Sequence, residues 1–191
     1  MILSNVEILR GLRERLFTID NLAGDDPAQA PFNTSAVDLR LGEEIVIPEA
    51  DSPVQLDLTK PGIAKFWQKH SSKRIISKDQ PFSLTQGQFI LARTIERVDF
   101  PLHENRDIIY SARVEGKSSL ARCGILVHFT APTIHAGFNG TITLEIINLG
   151  PCTFLLTPGM YICQIIIEEV KGRPVQAPNQ FKGQNSPAGV V

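Results

Sequence analysis

Hydrophobic and polar positions fall into two regimes along this chain. Near the start, Ile8, Leu9, Leu12 and Leu16 recur at spacings of three and four, while Glu7, Arg10, Arg13 and Glu14 fall elsewhere. That pattern gives one buried helix face. Ser4 and Glu7 make the S-x-x-E spacing of a capping box, in which each side chain satisfies a free backbone N–H of the other. A helix is therefore expected over about residues 4–17. Beyond it, Gly24, Pro27 and Pro31 interrupt a stretch with little periodicity, which is loop chemistry.

From Ser35 onward the period shortens to two. Val37, Leu39 and Leu41 alternate with Asp38 and Arg40, and Gly42 closes the run. Further apolar stretches lie at 44–47, 89–94, 108–114, 125–129, 141–148, 153–156 and 161–169. Between them stand turn formers such as Asn139-Gly140, Gly150-Pro151 and Pro158-Gly159. Many short strands with regular turns predict a mainly β sandwich or barrel, because a parallel sheet would need a helix between successive strands. A short helix carrying Trp67 is expected within 61–71. The last 21 residues, 171–191, hold three prolines, three glycines, and Lys171, Arg173 and Lys182 with no acidic residue. They read either as a solvated terminus or as a mobile basic flap that orders over an anionic ligand. One domain through residue 170 and a flexible tail are expected.

Composition narrows the function classes. At 191 residues the chain suits one domain with a substantial core, and 42% hydrophobic with 20% charged residues is globular composition. Nineteen Lys plus Arg nearly cancel twenty Asp plus Glu, so no overall field draws the protein to nucleic acid or to a membrane. No apolar run approaches the ~18 residues of a spanning helix, and the first residues lack the basic and apolar regions of a signal peptide. A soluble, cytoplasmic protein is expected. Cys123, Cys152 and Cys163 form no CxxC or CxxH pair, so neither a disulfide framework nor a structural zinc site is expected. All three read as buried, reduced thiols.

Candidate chemistry concentrates in two segments. The first is Glu115-Gly116-Lys117-Ser118-Ser119-Leu120-Ala121-Arg122-Cys123-Gly124. A P-loop needs a glycine five residues before Gly116, where this chain has Ser111, and no clear helix follows, so that reading fails. What remains is a polar turn or a loop whose two hydroxyls and two cations grip phosphate oxygens. The second segment runs from Val127 to Asn148. There Glu145 interrupts an apolar strand and shares one face with Thr143 and Ile147, while Ile142, Leu144 and Ile146 take the other. Its carboxylate is solvent-facing, ion-paired, or partly buried with a raised pKa and poised as a general base. His128 on a strand reads as a hydrogen-bonded core residue, and His135 in a turn as an exposed one. Two histidines with no third ligand nearby do not make a metal site.

Taken in order, several segments resemble the dCTP deaminase family of the trimeric dUTPase-like superfamily. They are Ser35-Ala36-Val37-Asp38-Leu39-Arg40-Leu41-Gly42, the Glu115–Gly124 block, Thr130-Ala131 with Gly137-Phe138 and Gly140, Thr143-Leu144-Glu145, Pro158-Gly159-Met160, and Gln180-Phe181-Lys182-Gly183-Gln184. The resemblance spans essentially the whole chain. It implies a distorted, jelly-roll-like β-barrel, a homotrimer with active sites shared between subunits, and hydrolysis of dCTP to dUTP and ammonia in pyrimidine deoxynucleotide synthesis. No zinc is implied; zinc deaminases use H-x-E with P-C-x-x-C, and Pro151-Cys152 has no second cysteine two residues on. By the same resemblance Glu145 activates the water that attacks C4, with Ser118 and Arg122 in support. Lys117, Ser118, Ser119, Leu120, Ala121 and Arg122 would meet the triphosphate, whose oxygens Mg²⁺ would bridge. Thr130, Ala131, His135, Thr143 and Leu144 would surround the base and sugar, and Gln180, Lys182 and Gln184 would close over the phosphates.

The chain departs from the family pattern at several places, and a tail Tyr found in many members has no counterpart between Lys171 and Asn179. His135 stands where both branches of the superfamily usually carry Asp, Thr133 where the familiar deaminase has Arg, and Gln180 where the tail motif usually has Lys. In dUTPases that Asp activates the water attacking phosphorus, so His135 weighs against a diphosphatase. The alternatives are a dUTP diphosphatase, a bifunctional deaminase–diphosphatase, or a non-catalytic nucleotide-binding trimer of the same fold.

Overall fold

A computed structural model describes residues 1–49, 57, 59, 63–175, 183, 186 and 187. The elements in chain order are helix α1 (Asn5–Arg13), strands β1 (Thr18–Asp20), β2 (Phe32–Asn33) and β3 (Ala36–Pro48), helix α2 (Ile63–Lys69), and strands β4 (Ser71–Ile75), β5 (Phe82–Leu84), β6 (Phe89–Asp99) and β7 (Ile109–Gly116). There follow a one-turn helix α3 (Ser118–Ala121) and strands β8 (Ile125–Val127), β9 (Thr133–Ile134), β10 (Asn139–Asn148), β11 (Phe154–Leu156) and β12 (Tyr161–Val170). The mainly β architecture and the short helices at both expected places agree with the sequence.

α1 ends earlier than its periodicity predicts. Ser4 caps it, accepting from the Glu7 N–H at 3.4 Å, but the Glu7 carboxylate turns to Arg10 at 2.5 Å instead of completing the box. After Arg13 the chain reverses through Arg15, at φ 53°. This brings the Phe17 ring back onto the helix, so close to Gly11 that a Cβ there would lie 2.5 Å from the ring. Leu16 therefore packs on the core from the turn and not from a fourth helical row. Ahead of the helix, the Leu3 N–H donates to Ile167 O at 3.0 Å, so the first residues extend the sheet along β12.

All pairings are antiparallel, and the main sheet runs in the order β8-β10-β6-β3-β12-β7-β9, with β1 on β6 and both β2 and β4 on β3. β5 and β11 form a separate pair. The two apolar stretches at 37–41 and 44–47 are one strand, β3, and not two. Its first half lies between β2 and β12 and its second between β4 and β6, with a register shift between Leu41 and Ile45. Gly42 permits the bend, since a Cβ there would sit 2.9 Å from Arg93 O. The sheet curls around a single core in which Leu39, Leu41, Ile90, Leu144 and Ile165 are shut from solvent. The predicted alternation of β10 holds: Ile142, Leu144 and Ile146 are buried, while Thr143, Glu145 and Ile147 are partly open.

Two polar devices hold the ends of β10. At its start a bulge lies between Thr141 and Thr143; the Ile142 N–H there donates to Thr94 Oγ1 at 3.0 Å, and that hydroxyl donates to Glu96 O at 2.7 Å. At its end Asn148 is fully buried. Its amide donates to Leu84 O at 3.0 Å and Cys152 O at 2.7 Å, and accepts from the Gly150 N–H at 2.9 Å. Buried polar groups left without partners are costly, so Asn148→Ala should lower the unfolding free energy by about 2–4 kcal/mol. Urea denaturation of the variant against wild type measures that loss.

Candidate active site

The site rests on what β10 presents toward β8. Val127 pairs with Ile146, so the next step of the ladder sets His128 opposite Glu145, and the His128 N–H donates to Glu145 O at 2.8 Å. His128 takes φ 52°, which turns its ring back over the strand. The imidazole is 8% exposed and its Nδ1 lies 2.9 Å from Glu145 Oε2, whereas the glutamate side chain is 29% exposed. The two atoms are in close contact without the geometry of a directed hydrogen bond.

This geometry corrects one of the three readings of Glu145. Burial pushes its carboxyl upward, but the His128 contact and charge, with a backbone bond, outweigh burial and hold it below the ordinary carboxylate range. Glu145 is thus held against His128 and ionised at neutral pH, not a carboxylic acid with a raised pKa. His128 is buried as expected. Its partnership with Glu145 was not visible in the sequence, because only the β8–β10 register brings two residues seventeen apart face to face.

The Glu115–Gly124 block lies at the other end of β8. Contrary to the sequence reading, a helix does follow Lys117, though it is the single turn α3, with Lys117 as its N-cap and no side-chain cap. Ser118, Ser119, Ala121 and Arg122 are exposed, and Leu120 packs on the core. Lys117 is not a free cation: its Nζ lies 2.5 Å from Asp38 Oδ2, and Asn33 donates to the other carboxylate oxygen at 2.9 Å. Arg122 makes no ion pair among the described residues. The block is fixed against the end of β10 by close backbone contact. A Cβ on Gly150 would lie 1.9 Å from Cys123 O, and one on Gly124, at φ +90°, 2.4 Å from Gly150 N. Only glycine fits either position.

Beneath Lys117 lies a second buried pair. The Arg40 backbone N–H and Nε donate to the two oxygens of Glu96, at 2.8 and 2.6 Å, and the Glu96 side chain is 1% exposed. Cys163 is fully buried, and its thiol is pushed strongly upward by burial and by Glu96 and Asp38. Cys123 and Cys152 are exposed, which corrects the expectation of three buried thiols. They sit at tight turns whose backbones, and not their side chains, are packed.

The remaining expected residues are partly assembled. Thr130, Ala131 and His135 are exposed along the segment flanking β9, Thr143 is half-buried on the Glu145 face, and Leu144 is a core residue. No contact within the single chain joins Glu145 to Ser118 or Arg122 among the described residues. Gln180, Lys182 and Gln184 lie outside the described residues. Nearby, the Gly183 N–H donates to Asn139 O at 2.6 Å, and Ser186 Oγ to Glu44 Oε1 at 2.9 Å. Among the described residues no group of three or more His, Cys, Asp or Glu could hold a metal ion, and no helix is long and apolar enough to cross a membrane.

Comparison with known proteins now adds to this geometry. The dCTP deaminase-like family profile matches residues 2–170, and the chain belongs to that family. A Methanosphaera stadtmanae protein called "dCTP deaminase, dUMP-forming" is 36% identical over 197 residues, spanning 97% of this chain and 91% of its own. A Dictyoglomus turgidum protein of the same name is 40% identical over 165 residues, or 86% of this chain and 78% of its own. A "dCTP deaminase" of Natronomonas pharaonis is 35% identical over 193 residues, covering 98% and 92%. Among solved structures, the 2'-deoxycytidine 5'-triphosphate deaminase from Agrobacterium tumefaciens superposes with a TM-score of 0.64 over 88% of this chain. At 19% identity that likeness is one of fold, and this chain spans about half (47%) of that one.

Because the folded carboxyl of Glu145 lies below its ordinary value, it contributes stability above that ordinary value, and the contribution is lost as pH falls through the folded one. His128→Ala removes the imidazole that lowers the Glu145 carboxyl while much of the burial remains, so that carboxyl should titrate at higher pH than in wild type. Carbon-13 NMR titration, assigned by difference with Glu145→Gln, measures this; an unchanged midpoint contradicts the pairing.

Proposed function

We propose that this chain hydrolyses dCTP to dUTP and ammonia, with Glu145 as the general base. The observation that carries the reading is Glu145 itself. It is an ionised carboxylate on a half-open sheet face, held by a buried imidazole, in a chain of the dCTP deaminase-like family. Glu145 would take a proton from water as the oxygen bonds to C4 of the cytosine. It would deliver that proton to N3 as the C4–N3 double bond opens, and then pass the proton of the new C4 hydroxyl to the exocyclic nitrogen, so that the C4–N bond breaks, ammonia leaves and a carbonyl remains. A base held low in the free protein is fully ionised at neutral pH, and a bound pyrimidine that excludes water would raise its basicity.

The rest of the site would be completed by assembly. We propose a homotrimer in which the exposed Ser118 and Arg122 of one subunit face Glu145 of the next. Ser118 would position the water, and Arg122 would stabilise the reacting centre and pair with phosphate oxygens. Lys117, steadied by Asp38, would offer its remaining donors to the triphosphate beside Ser119, with backbone groups of Leu120 and Ala121 nearby. Thr130 and Ala131 would read the pyrimidine edge, and His135, Thr143 and Leu144 would bound the base and sugar. The tail that passes Asn139 at Gly183 would bring Gln180, Lys182 and Gln184 over the phosphates. Mg²⁺ would enter as the nucleotide complex, held by phosphate oxygens; Asp38, the buried carboxylate nearest the block, is already committed to Lys117 and Asn33. Such an enzyme belongs in the cytoplasm, where deoxynucleotides are made.

A second reading is that the product goes on to dUMP, since several relatives, the first two above among them, bear the name dUMP-forming. The exposed His135, in place of the Asp that would activate water toward phosphorus, favours a reaction that stops at dUTP.

Glu145→Gln tests the assignment of the base. The amide keeps the shape and accepts no proton, so ammonia release from dCTP should fall by about 10²–10⁴-fold. Equilibrium binding of dCTP should stay within a few-fold. Turnover near the wild-type rate overturns the role of Glu145.

A further inference from the structure

A cleft of about 410 Å³ opens where β3, β6 and the turns after β4 and before β12 meet, and Glu145 does not line it. Its walls are preformed: the Ile76 N–H donates to Glu43 O at 2.9 Å, and the Gly159 N–H to Leu41 O at 2.8 Å. The close approach at Gly42 brings the β3 backbone against Arg93 on the floor. Arg93 is the unusual residue there. It is half-buried, and its Nε is shut from solvent with no hydrogen-bond partner. No carboxylate pairs with its guanidinium among the described residues. A desolvated donor without an acceptor is costly, and because Nε is enclosed, only the two Nη groups of Arg93 can meet a ligand in the cleft. Lys78 and Ser77 stand at the same cleft, as does the exposed Glu43, while Ile95 and Pro158 supply apolar wall.

We propose that this cleft is a second anion site, built for the phosphate group of a small organic phosphomonoester. The guanidinium fork of Arg93 matches two oxyanion oxygens, Lys78 adds a point charge, and the Ser77 hydroxyl is a further donor. Two cations against Glu43 leave one net positive charge, which suits a single phosphate and disfavours a polyphosphate chain. The volume lies within the about 300–1,000 Å³ of small-molecule sites and exceeds what a bare phosphate fills. Ile95 and Pro158 would meet the organic part. Arg93 pairs with Thr143 across β6 and β10, two residues from Glu145, so the site neighbours the proposed active centre without sharing its residues.

Thermal unfolding in inorganic phosphate, titrated against chloride at constant ionic strength, tests the proposal. At a phosphate level ~100-fold above half-saturation, the Tm of wild type and of Arg122→Ala should rise by about 5 °C or more. Arg93→Gln should abolish that rise, and phenyl phosphate should reach the same rise at lower concentration than phosphate. Should Arg93→Gln not fold, Lys78→Ala, at an exposed position, should reduce the shift by half or more. An equal rise in the Arg93 or Lys78 variant, or loss of the rise in Arg122→Ala, overturns the assignment. A larger shift with acetate than with phosphate overturns the ligand class. A tenfold fall in kcat/KM for dCTP in Arg93→Gln overturns the separation from the active centre. The Tm arms need no turnover, so they stand or fall apart from the proposed deamination.

Discussion

Between β6 and β8, strand β10 has one register in which Ile142, Leu144 and Ile146 all point into the core, and in that register Glu145 meets His128. A slip by one residue would drive the carboxylate into the apolar interior and lift three aliphatic side chains into solvent. The site is thus specified by hydrophobic burial before any charge is considered. The polar devices then hold that register: Thr94 closes the bulge at one end, and Asn148 ties the other to β5 and to the 150–152 turn. Because Gly124 and Gly150 are packed backbone to backbone, the Lys117–Arg122 block inherits its position from the same strand.

Charges inside the fold are paired before they are used. Arg40 with Glu96 and Lys117 with Asp38 flank the buried Cys163, and each pair is joined by close contacts and supplementary hydrogen bonds. Buried pairs of this kind add little net stability, but breaking one leaves an uncompensated charge. Their consequence here is positional: Asp38 on β3 fixes Lys117 at the mouth of the candidate anion loop. This leaves Ser118, Ser119 and Arg122 as the polar side chains of the Lys117–Arg122 block that are exposed for a ligand or a neighbouring subunit.

Much of this was legible in the sequence, and the rest was hidden for physical reasons. Alternation in 141–148 identified the face of Glu145, and the turn formers identified a mainly β chain. The Glu115–Gly124 and Thr143–Glu145 segments pointed to the family that the whole-chain comparison then gave. Local pattern failed wherever a tertiary contact decided the outcome. α1 stops at Arg13 because Phe17 folds back on Gly11, and β3 runs through Gly42 because a close backbone approach tolerates nothing larger. The short strands β2, β5 and β9 carry too few residues for alternation to be read. The direction of the Glu145 shift depends on His128, which no spacing rule connects to it. Arg93 looked like any polar residue in a strand until the fold showed its Nε enclosed.

If Glu145 is the general base, the face it occupies acts on a cytosine nucleotide. Incubating the purified protein with dCTP, CTP, dCMP and dUTP in the presence of Mg²⁺, with assay of ammonia and separation of the nucleotides, tests it most directly. The expected result is ammonia and an equal amount of accumulating dUTP from dCTP, with no dUMP from dUTP. No ammonia from any of the four, in protein shown to be folded, would contradict it.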